Sequence, residues 1–561
     1  MWGACLCLGW LASLCVVADS FSMFKPHETD VNLPEQVASL TSSWDVKKLR
    51  ILEFVTAQHA ASGSPGWALA VVHHNETLLA QGFGLNEVVA NPANQVSPDS
   101  MFHIGSVTKT MVAVALAKLV DERRVRWTDR VTQHLPWFTL HDKYAQTYTT
   151  LHDLLGMNSV FAEGDSDYQA SFGVYSSERD MVQRLGSYAT TRTYRQGYAY
   201  ANVNFAILGQ VVQAVTNQTW GEYLTQAIWT PLGMMHTYDW AEHAPADHQL
   251  SKGHFVCNGT VAGPFDIRDA STSFLAPFPQ ADGSVVSSIH DMAIFSKFLL
   301  SKGRPLFAST QPIADMITGR LRAPLGHEIQ AVFVGAMGTS WGYHFDPKGG
   351  RALGAGYGID VVGPSMYRNL DYFDKNGDTA EHQTRTGFVP SRGLGVVLLN
   401  NGQLMDKGSN IQRLSRVRTY VLGILLDIPQ NELVAAWNES VLAADALYPV
   451  GDCKATAFDS TPPRPTYHPS DAVKEWLAGE YTAMAYPDFV GNASIYVQNK
   501  NQLVFKYGTY AGPLIGLTNT TFVWNVFVAV APAVTVRIAK LPNGLPTIAI
   551  DDMFAFVKVL A

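Results

Sequence analysis

Charged side chains are sparse in this chain of 561 residues: Asp, Glu, Lys and Arg make up 16%, with a formal net charge of −8. Without an excess of basic groups, a nucleic-acid partner has no electrostatic support. Cysteine is scarcer still, at five residues, and Cys5, Cys7 and Cys15 crowd near the N-terminus. Only Cys257 and Cys453 lie beyond them, which excludes a small domain built on a disulfide framework. The apolar stretch from Ala4 to Ala18 is too short to span a bilayer, so no transmembrane anchor is expected. There is no internal repeat. The histidines are scattered, with His73-His74 at an apparent hairpin tip, so no metal-ligand cluster stands out and neither metal nor cofactor is expected. Length is what the chain does have, enough for a large core and more than one domain.

The N-terminus reads as an address. Ala4 to Ala18 ends in small residues, and Ala18-Asp19-Ser20 resembles a signal-peptidase site, so 1–20 is expected to be a signal peptide and 21–39 an extension. The segment lacks a basic start, and a membrane-anchoring helix is the alternative reading. Asn-x-Ser/Thr sequons at Asn75, Asn217, Asn258, Asn438, Asn492 and Asn519 fit a secreted, glycosylated, extracellular protein. In that compartment Cys257 and Cys453 are expected to pair, two buried thiols being the alternative. Asp551, Asp552 and Lys558 interrupt the C-terminus and argue against a GPI signal.

Three short motifs carry chemistry. Ser106-Val107-Thr108-Lys109 precedes Met111 to Val120, an apolar run that predicts a buried helix with Ser106 at its N-terminus. There the helix dipole and orphan N–H groups favour a developing alkoxide, and the Ser106 N–H can serve as half of an oxyanion hole. Lys109 is one turn on and shares the serine's face; in an apolar setting it loses proton affinity and can act as a base. Taken alone, an N-cap serine and a solvated lysine account for this motif equally well.

The second motif is Tyr200-Ala201-Asn202, ahead of a helix expected from Phe205 to Val215. A phenol beside two ammonium groups is expected to lose its proton more readily and to shuttle one between Ser106 and a leaving group. Asn202 offers a donor and an acceptor to a substrate amide or ester. By itself Tyr200 reads as an aromatic anchor. The third motif is Lys375-Asn376-Gly377-Asp378, followed by strand-like runs Gln383 to Val389 and Gly395 to Asn400 that read as a hairpin. Lys375 is expected to point into the cleft and position substrate, Gly377 to admit close backbone approach to a ligand, and the Asp378 N–H to complete the oxyanion hole. A strand lysine is otherwise a common edge-protecting charge.

Together these motifs resemble the serine β-lactamase and penicillin-binding-protein superfamily, in particular its class C branch with the related esterases and D-stereospecific peptidases. The resemblance extends to Pro65-Gly66-Trp67, Asp129-Arg130-Val131, Thr149 to Leu155, Pro231 to Met234 and Ala281 to Ser288. It implies a β-lactamase/transpeptidase-like α/β (α+β) sandwich over about 40–430, with Ser106, Lys109 and Tyr200 catalytic. Two departures stand out: Asn376 replaces the usual Thr, and Glu381-His382 fall where the family usually has Gly-Phe. An acid and an imidazole near the cleft are expected to disfavour β-lactam hydrolysis more than ester or peptide hydrolysis.

Residues 431–469 read as a linker, ending in the Pro-rich Pro462 to Pro469, and 470–561 as a small β-rich domain with strands near Ala493 to Val497, Gln502 to Tyr507 and Val523 to Val530. The expected protein is a secreted serine hydrolase acting through an acyl-enzyme on a small-molecule or peptide ester, amide or peptide bond. The alternative is an inactive glycoprotein of an extracellular matrix with matrix components as partners, a setting in which secreted animal members of the family occur.

Overall fold

The computed structural model describes residues 43–560 apart from 90–93, 191, 270–274, 319–320, 323–335, 344–353, 450–452, 460, 500, 529–532 and 552. The expected signal peptide and N-terminal extension lie outside the described residues. The framework is a nine-stranded antiparallel sheet, in the order Glu76–Gly84, Gly66–His73, Leu394–Asn400, Gln383–Val389, Leu370–Asp374, Ile359–Met366, Gly354–Gly356 and Leu321–Arg322, with Asn376–Asp378 also paired to Gln383–Val389.

Alternation along Gly66–His73 explains why this sheet is covered on both faces. Trp67, Leu69 and Val71 enter a core with Ile51, Phe54 and Val55 of helix Trp44–Ser62 and Leu414, Val417 and Val421 of helix Arg413–Leu425. Ala68, Ala70 and Val72 enter the other core, with helices Val107–Asp121, Val203–Thr216 and Ile289–Leu300. A strand buried on both faces must be apolar throughout, so this antiparallel sheet reads like a parallel one. Helical segments between 131 and 243 form the insertion that carries the second motif.

The expected linker is corrected in its first half. Gln430–Leu447 is an 18-residue helix. Leu433, Trp437, Ser440 and Ala444 bury one narrow stripe of it, at spacings that return to the same face, and Trp437 meets Phe54 edge-on at 5.3 Å. So few buried positions give a weak apolar period, which is why the helix is hard to read from sequence.

The C-terminal region is more regular than expected. After the short helix Asp471–Leu477, eight strands from Gly479–Ala483 to Phe554–Lys558 close into a barrel through the pairing Tyr481↔Lys558. The barrel leans on the helical insertion: Phe172 stacks on Trp524 at 5.5 Å, and Thr509 N–H donates to Phe172 O at 2.9 Å. Cys257 and Cys453 form the expected disulfide, with Cα atoms 5.7 Å apart, joining strand Gly253–Cys257 to the approach to the barrel. No helix among the described residues is long and apolar enough to cross a membrane. Asn75, Asn217, Asn258, Asn492 and Asn519 are exposed, whereas Asn438 is half-buried on a helix and its sequon partner Ser440 is buried.

Candidate active site

Ser106 is the N-cap of helix Val107–Asp121, which is buried over most of its length. Ile104 N–H donates to Val285 O at 3.0 Å and Val285 N–H donates to Thr108 Oγ1 at 3.2 Å, so the turn at the nucleophile is pinned from both sides. Lys109 is fully buried, and its Nζ donates to Ser106 Oγ at 3.0 Å and to Asp282 O at 2.7 Å. Burial is the largest influence on this lysine; with the nearby Lys375 ammonium it outweighs Asp282 and brings the pKa down to about 7.

Tyr200 stands on the other side of the serine, its hydroxyl donating to Ser106 Oγ at 2.7 Å. Its ring lies between two ammonium groups, with Lys109 Nζ 5.0 Å and Lys375 Nζ 4.9 Å from the centroid. The expectation that these cations make the phenol more acidic is overturned. Burial, reinforced by the Asp360 carboxylate, drives its pKa well above the ordinary value, so Tyr200 is a neutral donor.

Lys375 reaches the same point from the third motif, 3.4 Å from Tyr200 Oη, and Asp360 Oδ1 accepts from its Nζ at 2.6 Å. Asp360 Oδ2 also accepts from Asn376 N–H at 3.2 Å. Asn376 itself is anchored behind the strand, where Arg418 Nη1 donates to its Oδ1 at 2.9 Å. The close backbone approach expected at Gly377 is present, but to the chain itself: a Cβ there would lie 1.9 Å from Ile104 O. Gly105, at φ +50°, faces the Asp378 backbone, where a Cβ would stand 2.6 Å from Asp378 N. These two glycines bring the Asp378 and Ser106 backbones side by side. The Asp378 side chain is turned to Arg385, at 2.9 Å.

Asn202, expected to offer a donor and an acceptor to a ligand, has one of its N–H groups engaged within the fold. Its Nδ2 donates to Asp167 Oδ2 at 2.8 Å, which leaves Oδ1 buried without a hydrogen-bond partner. Burial, with the neighbouring Asp282, pushes the Asp167 carboxyl up to about 7.

Two sequence readings need correction. Glu381 and His382 do not border the cleft; both are fully buried behind it, and Glu381 Oε1 lies 2.9 Å from His103 Nδ1 and 3.4 Å from His382 Nδ1. Burial alone would raise the Glu381 carboxyl, but the two imidazoles outweigh it and hold it well below the usual carboxylate range. The histidines are also not all scattered in space, because His103, Glu381 and His382 form a group able to hold a metal ion. Sequence reasoning missed Asp167, Asp282 and Asp360 as partners of the motifs. Ala281-Asp282-Gly283 carried a signal as a family block, while Asp167 and Asp360 carried none.

The beta-lactamase family model matches residues 52–417. The chain belongs to the beta-lactamase family. Among curated proteins it is similar to the unguisins hydrolase ungD' of Aspergillus campestris, 28% identical over 247 residues, covering 42% of this chain and 44% of that protein. It is also similar to the protein flp of Staphylococcus aureus, 26% identical over 173 residues, covering 31% and 34%. The alignment thus spans less than half the length of either relative. Among solved structures, the octameric penicillin-binding protein homologue from Pyrococcus abyssi superposes with a TM-score of 0.54 at 18% identity, covering 91% of this chain and all of that one. The D-amino acid amidase from Ochrobactrum anthropi SV3 superposes at 0.51 and 17% identity, covering 68% and 98%. At these identities the likeness is one of fold.

Proposed function

We propose that this beta-lactamase family member is a secreted serine hydrolase that works through an acyl-enzyme on an ester, amide or peptide bond. The observation that carries the reading is Ser106 Oγ, held between Lys109 Nζ at 3.0 Å and Tyr200 Oη at 2.7 Å, with the lysine pKa brought down to about 7. Neutral Lys109 takes the Ser106 proton as Oγ bonds to the acyl carbon. The carbonyl oxygen then gains negative charge between the N–H groups of Ser106 and Asp378. Tyr200 gives its proton to the leaving oxygen or nitrogen as that bond breaks, and recovers one from protonated Lys109. Water follows the reverse route to release the acid.

The same geometry supports a narrower reading of the substrate. Lys375 already has Asp360 at 2.6 Å, so its charge is compensated before any ligand carboxylate arrives. Asn202 has one N–H taken by Asp167 and an Oδ1 still without a partner. Such a site favours an acyl group bearing an N–H or ammonium donor over an anionic β-lactam. Glu381 and His382, buried behind the cleft, neither narrow it nor repel a substrate carboxylate there.

A fluorophosphonate probe tests the reading. It should label the wild type and not Ser106→Ala. Labelling that survives the substitution, or no labelling of either protein, would overturn the proposed mechanism.

A further inference from the structure

Behind the pocket, His103, Glu381 and His382 are 1%, 0% and 0% exposed, and one donor atom from each lies within 4.8 Å of the others. Hydrogen bonding alone leaves this group incomplete. His103 Nδ1 meets Glu381 at 2.9 Å. Glu381 and the Ser251 backbone are near enough to bias the charge of His382, yet neither ring nitrogen of His382 reaches hydrogen-bond geometry.

The spacing fits another kind of bond. Glu381 Oε1 is 2.9 Å from His103 Nδ1 and 3.4 Å from His382 Nδ1. A zinc ion with bonds of about 2.0–2.1 Å has tetrahedral ligand edges of roughly 3.3 Å. The donor atoms of the three residues all lie within 4.8 Å of one another. Two imidazoles and one carboxylate suit a borderline transition ion, whereas calcium and magnesium require mostly oxygen donors.

We propose that His103, Glu381 and His382 form a buried site for one divalent transition-metal ion of the zinc type, with a water or backbone oxygen completing the shell. The position gives the site a purpose. His103 ends strand Met101–His103, just before the Gly105-Ser106 turn, and Glu381-His382 follow Asp378 in the turn closed by Thr379 N–H to His382 O at 3.0 Å. The ion therefore ties together the two segments whose backbones face each other across Gly105. Its role is to hold them in place, not to meet substrate.

The rival for added zinc is a surface group in which His290 and His236 approach Asp99 at 3.4 and 3.8 Å, with His248 beside His236 at 4.9 Å between ring centroids. The full-length protein is loaded with zinc chloride, dialysed against metal-free buffer, and assayed by elemental analysis and thermal melting. The expected result is one zinc per chain and a melting temperature that zinc raises and EDTA lowers, both lost in His382→Gln and kept in His248→Asn. No retained zinc in the wild type, or zinc lost in His248→Asn and kept in His382→Gln, would overturn the proposal. X-ray absorption on the zinc-loaded wild type reads the ligands without any variant. Two imidazoles with oxygen support the site; three imidazoles, or oxygen alone, overturn it.

Discussion

Asp360 Oδ1 lies 2.6 Å from Lys375 Nζ, so the lysine brought to the pocket by the third motif has its counter-ion supplied by the fold itself. Through Asn376 N–H the same carboxylate also holds the strand that carries Asp378. One residue thereby sets both the charge of the pocket and the position of a backbone N–H beside Ser106.

Asp360→Asn should free the Lys375 charge for a ligand. Among matched esters, those with a carboxylate on the acyl side should gain about tenfold in kcat/KM relative to neutral ones, the worth of one hydrogen bond to a charged group. Steady-state kinetics on the two series is the check, and an unchanged ratio would show that Lys375 does not meet the acyl group.

Lys109→Met and Tyr200→Phe keep most of the side-chain volume and remove the proton-handling groups. Each should lower the acylation rate by about two to four orders of magnitude, the usual effect of losing a positioned acid or base. Melting temperatures near that of the wild type would place the loss in chemistry, and full ester hydrolysis by either variant would move the reaction elsewhere.

The wild-type pH profile should rise with pH and level off above about 7, because the lysine must be neutral to accept the serine proton and its pKa lies there. A base of ordinary carboxylate acidity, unlike the buried Asp167, would instead give a plateau reached near pH 5. Initial rates of probe labelling across pH 5 to 9 distinguish the two.

Glu178 makes a prediction about stability. Its carboxylate accepts from Ala281 N–H at 2.7 Å and from Gln210 Nε2 at 3.1 Å, yet burial dominates and raises its pKa from 4.5 to about 8. Between these values the folded chain keeps a proton that the unfolded chain releases. This contribution is fully present below 4.5 and is lost as pH rises through 8. Glu178→Gln should flatten that part of the profile, with its largest relative gain in melting temperature near pH 9.

The address read from the N-terminus is tested by sequencing the secreted protein, expected to begin near Phe21 and to lose mass on treatment with a glycosidase. A purified chain that starts at Met1 without glycan would reverse the extracellular assignment.

Much of the fold was legible because it is local. Ser106 and Lys109 share a face for the simple reason that three residues make nearly one helical turn, and the run from Val107 to Asp121 is apolar enough to declare a buried helix. The hairpin of Gln383–Val389 and Leu394–Asn400 declares itself by its composition, and two cysteines remaining beyond the N-terminal segment leave one intramolecular pairing. Helix Gln430–Leu447 and five of the eight barrel strands escaped, because short or half-exposed elements carry too little apolar period to stand out.

What the sequence determined by itself was the motif residues and the kind of chemistry they serve. Tertiary structure alone decided their protonation and their partners. The Tyr200 phenol is held neutral by burial and by Asp360, 160 positions away along the chain, against two nearby cations; Lys375 is ion-paired to that same aspartate; and Glu381 and His382 lie behind the cleft, against His103. Desolvation and Coulomb fields depend on which atoms fill the few ångströms around a group, and in a fold built from long-range pairings those atoms come from distant segments whose approach no local pattern encodes.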